Sequence, residues 1–233
     1  AIDKCVIVFL LYKTIFDKGK SKVILMTTND EPGDISLQPF DQEATRINIR
    51  RIEPSDGERY LGVRATGDGN WRDEYKYRVK QLKSMASKVH NCTLDRNEAH
   101  LLYSTRYKPT ICYPLHHTMF TDNECDKMQS PILRAMLPKM GFNCNFPRAV
   151  VHSPFTLEGN QLIDVKVEQF VLQLTDVMTA IRKMDIIGEQ LVHLIAAHQR
   201  FLGSATQFFA LPPANFEYRL QNSRIMFLWE KVH

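Results

Sequence analysis

The chain has 233 residues, and its 30 Lys+Arg against 26 Asp+Glu leave a formal charge of +4. With 44% hydrophobic and 24% charged residues it has the balance of an ordinary globular protein, one large domain or two small ones, which excludes a disordered or collagen-like chain. The longest apolar run, residues 6–12, is far short of the ~20 residues that cross a bilayer and lacks the flanks of a signal peptide, so no membrane span or leader is expected.

The first seventy residues read as β-rich. Residues 6–12 and 23–27 are apolar runs on either side of Asp17-Lys18-Gly19-Lys20, a polar segment suited to a hairpin turn. Residues 29–42 carry Pro32, Gly33, Asp34 and Pro39 and are predicted as a loop. Residues 45–52 alternate Ile47, Ile49 and Ile52 with polar or basic neighbours, a third strand, and residues 60–64 make a fourth before Gly67, Asp68 and Gly69 break the chain.

From Trp71 the helical period takes over. Tyr75, Val79, Leu82, Ala86 and Val89 recur at steps of three and four, which predicts a helix to about His90. The spacing of Asp95 and Glu98 predicts a capping box opening the next helix, carrying Ala99, Leu102, Tyr103 and Arg106 toward Pro109. Thr121 and Glu124 repeat that logic, with Phe120 and Cys125 placed as a hydrophobic staple. That helix contains Pro131 and ends near Pro138, with Gly141 as its left-handed terminator, and residues 143–154 follow as a loop. Val165, Phe170, Val171, Leu174, Val177, Met178 and Ile181 define a long amphipathic helix, and residues 186–201 a second. Phe208 to Pro213 mark a break, and Ile225, Phe227, Leu228 and Trp229 belong to a terminal helix or strand. The expected fold class is therefore α+β, mostly α, with N-terminal β-hairpins followed by a helical bundle. Its parts are residues 1–69, 70–155 and 156–233.

Five cysteines, Cys5, Cys92, Cys112, Cys125 and Cys144, are an odd number without a CxxC pair, and are predicted as reduced, small packing residues of an intracellular protein, nuclear or cytoplasmic. The chain carries no Walker loop, GxGxxG, HExxH or GxSxG element. His193 and His198 are five residues apart and do not share a helix face as metal ligands would. Asp73, Glu74, Asp122 and Glu124 lie in first helical turns, where capping and the helix dipole already account for acidic side chains. An enzyme using scattered carboxylates and a metal is the minor alternative.

The positive signal is a basic row. Arg72, Lys76, Lys80 and Lys83 fall at i, i+4, i+8 and i+11, within about a quarter of the helix circumference and expected beside the apolar face. Residues 71–150 hold 13 Lys+Arg and 7 Asp+Glu, so the middle of the chain carries the whole positive excess. Phosphate binding is the functional reading, and a solvated helix face the structural one. Tyr75, Tyr77, Tyr103, Tyr107 and Tyr113 are candidates for stacking on bases, or else core residues.

A longer succession gives this middle region a likeness. Tyr60-Leu61-Gly62-Val63, Gly67-Asp68-Gly69-Asn70, Tyr113-Pro114-Leu115, Phe120-Thr121, Cys125-Asp126, residues 137–143 (LPKMGFN) and residues 147–151 (PRAVV) occur in that order. Together with Asp3-Lys4-Cys5 they resemble the region after the palm in reverse transcriptase-like proteins of non-LTR retrotransposons, over residues 1–175. The resemblance implies that residues 1–66 are the end of the palm, with Tyr60, Leu61 and Gly62 in a primer-grip-like hairpin. It also implies a helical thumb from Trp71 that holds a template-primer duplex. Arg72, Lys76, Lys80 and Lys83 would track the backbone, with Arg106, Lys108, Lys139 and Arg148 as further phosphate contacts. The family's metal-binding aspartates lie upstream of the equivalent of Ala1, so the chain is expected to be a fragment or processed product, not catalytic alone and without a cofactor, where the parent polymerase uses magnesium. Where relatives have a GGLG element, this chain reads Glu158-Gly159-Asn160-Gln161-Leu162. A different class of function, a helical protein-interaction module whose C-terminal helices accept a partner, is the alternative.

Overall fold

The computed structural model describes residues 22–24, 35–37, 47–52, 57–60, 62–66, 69–216 and 223–233, which are mostly helical. The chain divides into a unit of Ala1–Glu58 with Ala65–Asn70 and a unit of Arg59–Arg64 with Trp71–His233.

In the first unit β1 (Lys22–Ile24), β2 (Ile35–Leu37) and β3 (Ile47–Ile52) form a sheet in the order β1-β3-β2. The isoleucine alternation of residues 47–52 becomes the central strand, parallel to β1 with Lys22 opposite Arg50 and antiparallel to β2 with Ile35 opposite Ile49. The loop expected over residues 29–42 therefore contains a strand. Three residues between turn formers are too few to show a period. The strand expected at residues 6–12 and the turn at 17–20 lie outside the described residues.

The single strand expected over residues 60–64 is two. β4 (Glu58–Tyr60) and β5 (Val63–Ala65) pair as a separate sheet, and Gly62 between them has φ +90°, a conformation that reverses the chain and that side chains resist.

The helical unit opens with α1 (Arg72–Asn91), whose first turn carries Asp73 and Glu74 and whose last carries Lys88 and His90, the polarity the helix dipole favours. Leu82, Ala86 and Val89 are buried along it, with Tyr75 and Val79 packed against the same core. Asp95 and Glu98 form the expected capping box at the start of α2 (Arg96–Leu102). The chain does not stop at Pro109. A π turn over Tyr103–Tyr107 leads directly into α3 (Lys108–Leu115), with Lys108 N–H bonded to Tyr103 O. The wider turn absorbs the proline that lacks an N–H, and the Thr110 hydroxyl donates back to Arg106 O, four residues earlier, at 2.6 Å.

The second capping box, Thr121 with Glu124, opens α4 (Asp122–Lys139), which runs through Pro131 and Pro138 and ends before Gly141 at φ +85°. Phe120 and Cys125 are both buried, as the staple requires. Tyr75 lies 6.2 Å from Phe120 at one end of the α1–α4 pair, and Lys139 Nζ donates to Cys92 O at 2.7 Å at the other, so these two helices run parallel. The expected loop over residues 143–154 contains α5 (Arg148–His152), one short helical turn after Pro147.

In α6 (Val165–Lys183) the buried stripe is Val165, Gln169, Gln173 and Val177, and Val171 and Met178, expected inside, are exposed. Both glutamines are needed by distant backbone. The Gln169 amide accepts from Phe120 N–H and donates to Phe120 O, and Gln173 Nε2 donates to Leu115 O and Thr118 O. α7 (Ile186–Leu202) starts at the Asp185 cap and ends at Gly203, φ +65°. The terminal segment is a helix, α8 (Arg224–Val232), burying Ile225, Met226, Leu228 and Trp229. Three of these side chains, Ile225, Met226 and Trp229, meet Phe208 and Leu211 in a second, smaller core.

The described cysteines are free, and only Cys125 is buried. Cys92 and Cys144 are exposed, which corrects the packing role expected of them. Burial pushes the Cys125 thiol up to about 12, and burial with the Glu168 carboxylate pushes Cys112 up to about 11.

Candidate nucleic-acid interface

The four row residues are brought together on one face. Arg72, Lys76, Lys80 and Lys83 are all exposed on α1, over a length of about 16 Å at 1.5 Å per residue. The row stands away from the buried stripe rather than beside it. The buried positions Glu74, Arg78, Leu82, Ala86 and Val89 are centred roughly 140° around the helix from the row's centre, so all four cations face solvent. Lys76 Nζ is 3.5 Å from Asp73 Oδ1, an exposed pair of little net strength. Lys80 and Lys83 form no ion pair among the described residues.

What holds this helix was not visible as a site in the sequence. Glu74, expected to act only on the helix dipole, is fully buried and paired with Arg78, Oε1 to Nε at 2.5 Å. Its other oxygen accepts the Arg64 N–H at 2.7 Å. Arg78 then donates to Gly62 O at 2.8 Å, to Gln81 Oε1 at 3.1 Å and to Thr110 O at 3.3 Å. One buried ion pair thus ties the Arg59–Arg64 segment, α1 and α3 together, and every lone pair and N–H it uses is answered, the condition under which a buried pair is tolerated. The i,i+4 spacing with Glu first was the available signal, but it reads equally as a surface pair.

The primer-grip-like residues divide. Leu61 lies outside the described residues, Tyr60 closes β4, and Gly62 sits beneath Tyr113, where a Cβ would come within 3.2 Å of the ring. Of the tyrosines considered for stacking, Tyr103 and Tyr107 belong to the core, so that role is corrected. Tyr77 lies between two guanidiniums, Arg64 at 4.9 Å and Arg78 at 5.4 Å from its ring centroid. Tyr113 remains half exposed.

The second set of cations is dispersed. Arg106 is on the π turn beside a cavity, and Lys108 is exposed in the first turn of α3. Lys139 is engaged by Cys92 O, capping a carbonyl left open at the end of α1. Arg148 reaches back to Cys144 O at 3.4 Å. No group of three or more His, Cys, Asp or Glu side chains placed to hold a metal ion occurs among the described residues, and no helix there is long and apolar enough to cross a membrane. The chain matches no described protein family, no curated protein and no solved structure.

Proposed function

We propose that the chain binds a nucleic-acid duplex through its phosphates, as a thumb-like segment of a reverse transcriptase-like retroelement protein, and is not catalytic alone. The observation that carries this reading is the solvent-facing row Arg72, Lys76, Lys80 and Lys83 on a helix fixed by the buried Glu74–Arg78 pair. A row of cations on a rigid rod meets a regular array of phosphates without reading sequence. In this reading residues 1–69 are the end of a palm with its hairpins, Tyr60, Leu61 and Gly62 support the primer strand, and Arg106, Lys108, Lys139 and Arg148 add outlying contacts. Lys76→Glu with Lys80→Glu is expected to weaken binding to a 20-base-pair duplex and to lower the steepness of log K against log salt by about two, since each phosphate contact contributes about 0.9. Unchanged affinity at two salt concentrations would overturn the proposal.

A second reading, a helical protein-interaction module, is favoured by α7, which exposes Ile186, Ile187, Val192, Leu194 and Phe201. Size-exclusion chromatography separates the two. A shift with duplex at low salt supports the first, and self-association indifferent to nucleic acid supports the second.

A further inference from the structure

A cavity of about 490 Å³ opens between α1, the π turn, α3 and α4. That is the size of a small-molecule site. Its wall is aliphatic, built from Met85, Val89, Leu102, Ile132 and Met136. Two of these are methionines, whose unbranched thioethers adapt to the shape of a guest. Two cations border this apolar space. Lys88 and Arg106 are exposed, and neither forms an ion pair among the described residues. Tyr107 also lines the cavity. It is 1% exposed and its hydroxyl is fully buried, so it closes the inner wall without offering that hydroxyl to the cavity. The π turn that forms this wall is a helix distortion that recurs at functional sites.

We propose that this cavity binds a small amphiphilic anion, an aliphatic body carrying one carboxylate, its body among Met85, Val89 and Met136 and its charge met by Lys88 and Arg106. The chemistry of the wall selects this class. An apolar lining rejects a fully polar anion, the two cations favour a charged end over a neutral one, and Tyr107, the aromatic residue of the lining, is buried and offers no open face on which a base would stack. The site is separate from the duplex row. Met85, Lys88 and Val89 lie about 120–180° around α1 from the row's centre.

The test uses the full chain labelled with 13C at the methionine methyls, with Met85 and Met136 assigned from Met85→Leu and Met136→Leu. Decanoate below its micelle concentration is expected to shift both resonances saturably, and decanol, the same body without the charge, to bind about tenfold more weakly. Lys88→Ser with Arg106→Ser, both at exposed positions, is expected to bring decanoate to the decanol level without lowering the melting temperature. The absence of a saturable shift at those two methyls, equal affinity for decanoate and decanol, or unchanged decanoate affinity in the Lys88→Ser, Arg106→Ser variant overturns the proposal.

Discussion

Replacing Glu74 by glutamine tests the buried pair that fixes α1. The change conserves volume and leaves one oxygen, but that oxygen now has two claimants, the Arg64 N–H at 2.7 Å and Arg78 Nε at 2.5 Å. The new amide group must point its hydrogens at one of them, and the Arg78 cation, 6% exposed, loses its counter-charge. Breaking a buried pair from one side costs about 3–5 kcal/mol, a large part of the 5–15 kcal/mol by which domains are stable. Arg78→Met is expected to cost a similar amount from the other side. The double variant removes both charges and leaves Gly62 O and Thr110 O short of a donor, each worth about 1 kcal/mol. It is therefore expected to cost about 2–3 kcal/mol, less than either single change. Urea unfolding followed by far-ultraviolet circular dichroism gives all three values. Single changes below about 1 kcal/mol that simply add in the double variant would refute the claim that this pair is buried and coupled.

Two further outcomes follow from local geometry. Gly62→Ala places a Cβ 3.2 Å from Tyr113 Cε1 at φ +90°, and a loss of at least about 1 kcal/mol is expected in the same assay, only partly restored by Tyr113→Ala because the backbone strain persists. With the Cys125 thiol raised to about 12 from an ordinary 9.0, the unfolded chain ionises first as pH rises above 9 while the folded chain does not. The Cys125 contribution to stability is therefore full below pH 9 and declines above it, a decline that Cys125→Ala removes. Unfolding curves at pH 8 and pH 10 for both chains check this, and identical pH dependence would count against it.

The parts of the fold legible in the sequence are those settled by neighbours three or four residues apart. The capping boxes at Asp95 and Thr121, the buried face of α1 and the left-handed end at Gly141 are of this kind. The failures are places where a distant group decided. Pro109 reads locally as a stop, but the π turn carries the helix past it. Val171 and Met178 read as core because they are apolar, yet the carbonyls of Leu115 and Thr118 needed a donor, and Gln173 took the buried position. For the candidate site the basic row was legible as spacing, whereas its orientation away from the core was not. Glu74 reads in the sequence as a first-turn acid on the helix dipole, because nothing local reveals that Gly62, Arg64 and Thr110 close over it and Arg78.

The central claim is that α1 presents its four cations to phosphates, and the dependence of duplex affinity on salt measures it most directly. Fluorescence anisotropy of the full chain with a labelled 20-base-pair duplex between 50 and 200 mM salt is expected to give a slope of log K against log salt of about −3.6 or steeper, about −0.9 for each of the four row contacts and more where the outlying cations engage. Binding whose strength does not change with salt, or no binding at 50 mM, would contradict the account.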